Sequence, residues 1–236
     1  MHPSAMENGK MFFETYVSGM KGAKLVEIGS QNVNGSLRSV CPPDIDYVGI
    51  DFVEGDGVDI VLDDPYNLPL VTESVDIVVS SSCFEHASMF WLTFNEVMRI
   101  LKPHGLFYLN APSNGLFHRY PVDCWRFYPD AAHALSTWAK YCGFNAAVIE
   151  TYTSRQQVDV WNDFVAVFIR DEGSISAYPR RILDNFSNFY NGMIYGNVDV
   201  INHQDSSEES LDKGAALREI DKLRERIRDL EAKIPH

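Results

Sequence analysis

Short apolar runs recur along the first 170 positions. They are separated by polar turns and by stretches in which apolar residues return every three or four places. Leu25-Val26-Glu27-Ile28, Tyr47-Val48-Gly49-Ile50, residues 58–62 and residues 74–80 read as strands, and their near-continuous apolar character is that of parallel strands covered on both faces. Phe90, Phe94, Val97, Ile100 and Leu101 fall at helical spacing, as do Ala131, Leu135, Trp138 and Ala139. Lys102-Pro103-His104-Gly105 predicts a helix end, with a fifth strand over 106–109. Residues 146–152 and 164–169 give two more strands. Met11, Phe12, Phe13, Tyr16 and Val17 form one face of an N-terminal helix that covers the sheet or a ligand. Strands alternating with helices predict a doubly wound α/β sheet.

The stretch that organises this pattern is residues 24–36, KLVEIGSQNVNGS. A buried strand breaks at Gly29 into a loop that opens a short helix at 36–40, whose first N–H groups form a polar cradle. The second strand ends in Asp51, about 20 residues after the glycine turn, where a carboxylate is placed to accept hydrogen bonds from ribose hydroxyls. The loop is not a dinucleotide-binding GxGxxG, since Gln31 stands where a glycine is needed. Nor is it a P-loop, since no Gly-Lys-Ser/Thr follows.

Glu27-Ile28-Gly29 after the first strand resembles the first motif of class I S-adenosylmethionine-dependent methyltransferases, although Gln31 and Val33 replace its later glycines. The resemblance extends through Asp63-Asp64-Pro65-Tyr66-Asn67-Leu68-Pro69 after the third strand and Asp76-Ile77-Val78-Val79-Ser80…Phe84-Glu85-His86 after the fourth. It continues in Arg99-Ile100-Leu101-Lys102-Pro103-His104-Gly105-Leu106-Phe107. These motifs occur in the family's order over roughly residues 24–169. They imply a mostly parallel seven-stranded sheet, with the seventh strand antiparallel between the fifth and sixth. They also imply S-adenosylmethionine as cofactor. The implied cofactor-binding residues are Glu27, Gly29, Ser30 and Gln31, then Asp51 and Phe52, then Asp63 and Asp64 for the adenine, then Ser80 and Ser81.

After the fifth strand, residues 116–129 interleave five large aromatics with His118, Arg119, Asp123 and Arg126. So rich a loop is costly in water unless it folds over something. It reads as the acceptor-binding lid: Arg119 and Arg126 suit carboxylates, phosphates or sugar hydroxyls, and Tyr120 and Trp125 suit stacking on a sugar or ring. Glu85 borders the same place. His118, Asp123 and His86 are the general-base candidates. The plainer reading is that Trp125, Phe127 and Tyr128 staple the next helix, with Arg126 bridged to an acid.

A net charge of −13 over 236 residues argues against a nucleic-acid backbone as partner. Four scattered cysteines without a CxxC pair read as free thiols in a reducing cytoplasm. No apolar run reaches membrane-span length, and the N-terminus lacks the pattern of a secretory leader. No run of carboxylates at metal-ligand spacing is present, so the reaction is expected to be metal-independent.

The domain reading is a methyltransferase-like domain over 1–170, a cap or linker over 171–210 with a helix near 181–190, and an amphipathic or coiled-coil helix over 211–236. In that tail Ala216, Ile220, Leu223, Ile227, Leu230 and Ile234 alternate steps of four and three. Isoleucines fall at a and leucines at d, the parallel-dimer preference, with Glu219 facing Arg224 and Arg226 facing Glu231 of a partner. The tail is expected to form a homodimer, with packing on its own domain as the alternative. The expected activity is O-methylation of a glycan, sugar or small metabolite. The competing reading is an inactive methyltransferase-like protein acting through its tail.

Overall fold

The computed structural model describes residues 2–156, 160–205 and 208–231. It divides into two compact units, Met1–His203 and Gln204–His236.

The first unit is built on one eight-stranded sheet. Its strands are β1 (Lys24–Ile28), β2 (Asp46–Asp51), β3 (Ile60–Val61), β4 (Val75–Ser81), β5 (Leu101–Pro112), β6 (Ala147–Ser154), β7 (Asp163–Ile169) and β8 (Phe189–Ile194). Their spatial order is β3-β2-β1-β4-β5-β7-β6-β8. The first five in that order run parallel, and β7 is antiparallel to both β5 and β6, as the resemblance implied. The direction of winding reverses between β1 and β4, which leaves a crevice at their carboxyl ends.

Helices α1 (Pro3–Phe12), α2 (Phe90–Ile100) and α3 (Asp130–Tyr141) complete the layers. Two apolar clusters cover the faces of the sheet. Phe94, Val97 and Met98 of α2 and Leu135 and Ala139 of α3 join Phe107 and Phe168 in one. Phe12, Phe13 and Tyr16 join Tyr108, Ile149 and Tyr152 in the other. Each such side chain contributes about 1.5–3 kcal/mol by leaving water, which offsets the ordering of the chain.

The sheet has eight strands rather than seven. The additional strand, β8, pairs antiparallel with β6 and lies in the stretch expected to be a cap or linker. FYNGMI lacks a β-branched run, and its Asn-Gly reads as a turn; Asn191 indeed takes a φ of 51°. Phe189 and Tyr190 are nonetheless buried, and Phe189 packs on Tyr152 and Phe186. The helix expected near 181–190 is a single 3-10 turn, Ile182–Asp184.

β5 begins at Leu101, not at 106. Lys102-Pro103-His104-Gly105 is absorbed as an irregularity: Val75 pairs with Leu101, but Ile77 pairs with Leu106. Lys102 Nζ meets Asp76 there at 2.7 Å. The helix expected after the glycine loop is one 3-10 turn, Leu37–Val40, with Ser36 accepting from Arg38 N. It is too short to supply the anion cradle the sequence suggested.

The second unit contains α4 (Glu208–Glu231). Its Leu217, Ile220, Leu223, Ile227 and Leu230 are exposed, and Lys222–Glu219 and Arg224–Asp221 pair along the same helix. No helix among the described residues is long and apolar enough to cross a membrane.

Candidate active site

A cavity of about 1100 Å³ opens at the carboxyl ends of β1, β2 and β4. Glu27, Gly29, Ser30 and Gln31 line it from the first strand and its loop, and Asp51 and Phe52 from the end of β2. Ser81, Glu85 and His86 line it from β4 and the following turn, and His118, Arg119 and Tyr120 from the aromatic loop.

Gly29 is required twice. Its φ is +79°, and a Cβ there would lie 2.6 Å from Cys83 Cβ. The turn lets Gly29 N and Ser30 N donate to Ile50 O, locking the loop to β2. Asp51 is buried, and three backbone N–H groups fix its carboxylate: Gln31 and Phe52 donate at 3.0 and 2.7 Å, and Val53 at 3.3 Å. Glu27 is buried and accepts from Tyr47 Oη at 2.7 Å; burial pushes its carboxyl up to about 7.

Three serines in the cavity wall keep buried oxygens without partners. Among the described residues Ser30, Ser81 and Ser82 Oγ make no hydrogen bond, and neither does Glu85 Oε2. Orphaned buried polar atoms cost roughly 1–3 kcal/mol each, so a group of four around one cavity marks a place that a polar ligand completes. This is the observation on which a nucleoside-bearing cofactor fits the residues present. Ser82, whose φ is +52°, was not singled out from the sequence; its strained backbone has no signature in a run of serines.

Glu85 and His86 form a 3-10 turn with Phe84. Glu85 is 1% exposed, and burial pushes its carboxyl up to about 8. His86 Nδ1–H donates to Val122 O, which leaves the Nε2 lone pair 3.6 Å from Glu85 Oε1. Burial holds His86 below its ordinary value, so its imidazole is neutral near physiological pH. The His118 ring stands edge-on to it, 5.0 Å between centroids. One ligand atom from each of Glu85, His86 and His118 falls within 4.8 Å of the others.

The aromatic loop divides in two. Residues 118–121 line the cavity, and Arg119 is exposed there with no hydrogen bond or ion pair among the described residues. Residues 123–127 do not line it, and three expectations change. Asp123 receives both Arg126 amino groups at 2.6 and 2.9 Å and His118 N at 2.8 Å. That guanidinium holds its carboxyl at about 2, so Asp123 is a fixed anion and not a base. Arg126 is also spent on Trp125 O and Leu116 O, so it is not available to an acceptor. Trp125 donates Nε1–H to Ala87 O and packs on Phe90 and Trp91, stapling the loop to α2. Cys124 N and Trp125 N donate to Glu85 O, fastening loop and turn together. At the start of the loop Gly115 takes φ +102° beneath the Trp161 ring.

Asp63 and Asp64 are exposed and lie outside the cavity wall; Leu62, Pro65 and Tyr66 border it instead. Asp64 caps Tyr66 N at 2.8 Å, an ordinary Asp-Pro turn. Ser80 donates to Ile28 O at 3.0 Å, tying β4 to β1, and is likewise outside the wall. His2 and Trp161 do line the cavity, though no sequence motif pointed to them. His2 Nε2–H donates to Asp163, and its ring stacks on Trp161, bringing the start of α1 to the wall.

Residues 32–109 match the family model described as a methyltransferase domain. No curated protein matches the chain. Solved structures of similar fold include Burkholderia thailandensis 1,6-didemethyltoxoflavin-N1-methyltransferase with bound 1,6-didemethyltoxoflavin and S-adenosylhomocysteine. It is 13% identical, with a TM-score of 0.56 over 72% of this chain and 79% of that one. The YcgJ protein from Bacillus subtilis is 13% identical, with a TM-score of 0.52 over 70% and 99%. The (4+2)-cyclase SpnF is 14% identical, with a TM-score of 0.52 over 70% and 81%. At such identities the likeness is one of fold, and the fold carries more than one chemistry. The matched domain, the strand order and the motifs in sequence agree: the chain resembles the class I S-adenosylmethionine-dependent methyltransferases, it is a methyltransferase, and S-adenosylmethionine is its cofactor.

Proposed function

We propose that this methyltransferase acts on a hydroxyl oxygen of a sugar, glycan or small metabolite, held beneath residues 118–121. The observation that carries the reading is the buried carboxyl of Glu85, which faces the cavity beside two imidazoles with one oxygen unpartnered. A hydroxyl meets such a group well, since it can both donate and accept.

S-adenosylmethionine, when bound, supplies a methyl group on a positively charged sulfur. The residues of the chain do the rest. Asp51, preset by its three N–H donors, keeps lone pairs for ribose hydroxyls, and Ser30 and Ser81 offer free hydroxyls. His86 Nε2 takes the acceptor's proton, because its Nδ1–H is committed to Val122 O. His118 is the second candidate, on the more exposed side of the same pair. Tyr120 stacks on the acceptor, and Arg119 binds an anionic or polyhydroxyl part of it. Positioning and the exclusion of water supply much of the rate.

The test is mass-spectrometric detection of S-adenosylhomocysteine and methylated product with a panel of free sugars, nucleotide sugars, phenols and amines. Transfer to a hydroxyl, reduced at least 100-fold in His86→Ala, is the expected result. Transfer confined to amines or to carbon overturns the O-methylation reading.

We further read α4 as a parallel homodimer element, on its exposed isoleucine and leucine stripe and the complementary charges flanking it. Light scattering should give the full chain twice its sequence mass and the chain ending at His203 once its own. Equal masses per chain remove this role.

A further inference from the structure

We propose that Glu85, His86 and His118 form a site for one divalent first-row transition ion of the imidazole-preferring class, such as zinc. The expectation of metal independence considered carboxylate runs alone. The donors here come instead from two segments that the fold brings together, the turn after β4 and the loop after β5.

Three features support the site. The first is the donor set, two imidazoles and one carboxylate, each offering an atom within 4.8 Å of the others. Ligands about 2.1 Å from a tetrahedral ion lie about 3.4 Å apart. The Glu85 Oε1 to His86 Nε2 distance is already 3.6 Å. His118 lies on the half-exposed loop, and from a separation of at most 4.8 Å it needs to close by no more than about 1.4 Å to meet that spacing.

The second feature is the surroundings of the rings. His86 Nδ1–H is held by Val122 O, and His118 Nδ1 lies 3.2 Å from Leu116 O and 3.4 Å from Asp123 Oδ2. Metal-binding imidazoles are commonly oriented by a carbonyl or carboxylate on their other nitrogen. Asp123 is itself fixed by Arg126, so the outer support is rigid.

The third is Glu85 Oε2, a buried oxygen on the cavity wall without a partner among the described residues. A bound ion would give that oxygen a partner, and Arg126, whose charge also acts on Glu85, is committed to Asp123.

With three protein ligands the ion keeps open positions, as catalytic sites do. All three residues line the cavity, so those positions face it. The ion's role rests on the proposed O-methylation; its binding does not. With an ion bound, His86 Nε2 is its ligand rather than the base. A hydroxyl on an open position then loses its proton to solvent water, and its oxygen bonds the methyl carbon. The carbon–sulfur bond breaks as that bond forms, and its electron pair stays on sulfur as a neutral thioether.

The test is calorimetric titration of the chelator-treated full chain with zinc and, separately, magnesium, followed by elemental analysis after dialysis. One zinc per chain with micromolar or tighter affinity is expected, with magnesium binding at least 100-fold weaker. Affinity should fall at least tenfold in Glu85→Gln and in His118→Ala, while the S-adenosylmethionine affinity of His118→Ala stays within threefold. Thermal melts of both variants check that each remains folded. Equal zinc binding in the parent and His118→Ala overturns the site, as does its absence in the parent. Product formation at an undiminished rate after chelation removes the ion's role and leaves O-methylation standing. Zinc binding with no hydroxyl acceptor ever methylated does the reverse.

Discussion

Glu150 and Glu85 are both buried glutamates whose carboxyls burial pushes upward, yet they sit in regions of opposite character. Glu150, on β6, accepts Tyr16 Oη, Ile182 N at 2.7 Å and Leu183 N at 3.1 Å. It is the closed knot that ties α1's extension and the 182–184 turn to the sheet. Glu85 leaves one oxygen with nothing to accept, in the wall of a cavity. Burial and a raised carboxyl therefore do not separate structure from function in this molecule. The number of donors each carboxyl receives does.

The largest expected effect breaks the closed side. Glu150→Ala strands three buried donors and should cost about 3–5 kcal/mol in urea unfolding. A loss below about 1 kcal/mol would show that the knot is dispensable. Glu85→Gln, by contrast, should change stability by less than about 1 kcal/mol, because it exchanges a carboxyl that burial already disfavours as an anion for a neutral amide of the same shape.

Gly29→Ala comes next. A Cβ at φ +79°, pressed on Cys83, should cost roughly 1–3 kcal/mol and weaken S-adenosylmethionine binding by at least tenfold in calorimetry. Asp123→Asn should cost about 1.5–3 kcal/mol by loosening Arg126 and the start of the loop, with cofactor affinity unchanged. An equal loss of cofactor affinity would place the loop's stapled half in the donor site, against the division described above.

Glu27 gives the pH dependence. Its folded carboxyl titrates at about 7, above the ordinary carboxylate range, so the folded chain holds a proton that the unfolded chain releases. That contribution to stability is complete below about pH 4 and is lost as pH rises through 7. Glu27→Gln should flatten the stability profile over this window; an identical profile in parent and variant contradicts the assignment. The smallest effect is Arg119→Ala, which should leave stability within about 0.5 kcal/mol and raise the acceptor KM, since this rim side chain has no protein partner to lose.

The central strands of the sheet were legible because they advertise themselves: β1, β4 and β7 are apolar nearly throughout and end in glycine or polar turns. The antiparallel place of β7 came from the family resemblance, not from its residues. β8 was hidden because its burial rests on two aromatics beside an Asn-Gly pair. The donor side of the site was readable from Gly29 and Asp51, where backbone geometry dictates residue type. Asp63 and Asp64 misled, because an acidic pair before proline satisfies its own turn as readily as a ligand. The aromatic loop was read as one unit. Its halves diverge because Asp123 and Arg126 sit three apart and close on each other, an exchange that sequence spacing permits but does not require.

The central claim is that the crevice at the β1–β4 reversal holds S-adenosylmethionine through Asp51. Calorimetric titration of the parent and of Asp51→Ala tests it most directly, with thermal melts as the control for folding. The account predicts micromolar binding in the parent, at least thirtyfold weaker binding in the variant, and melts within a few degrees of each other. Equal affinity in the two proteins, with both folded, would contradict it.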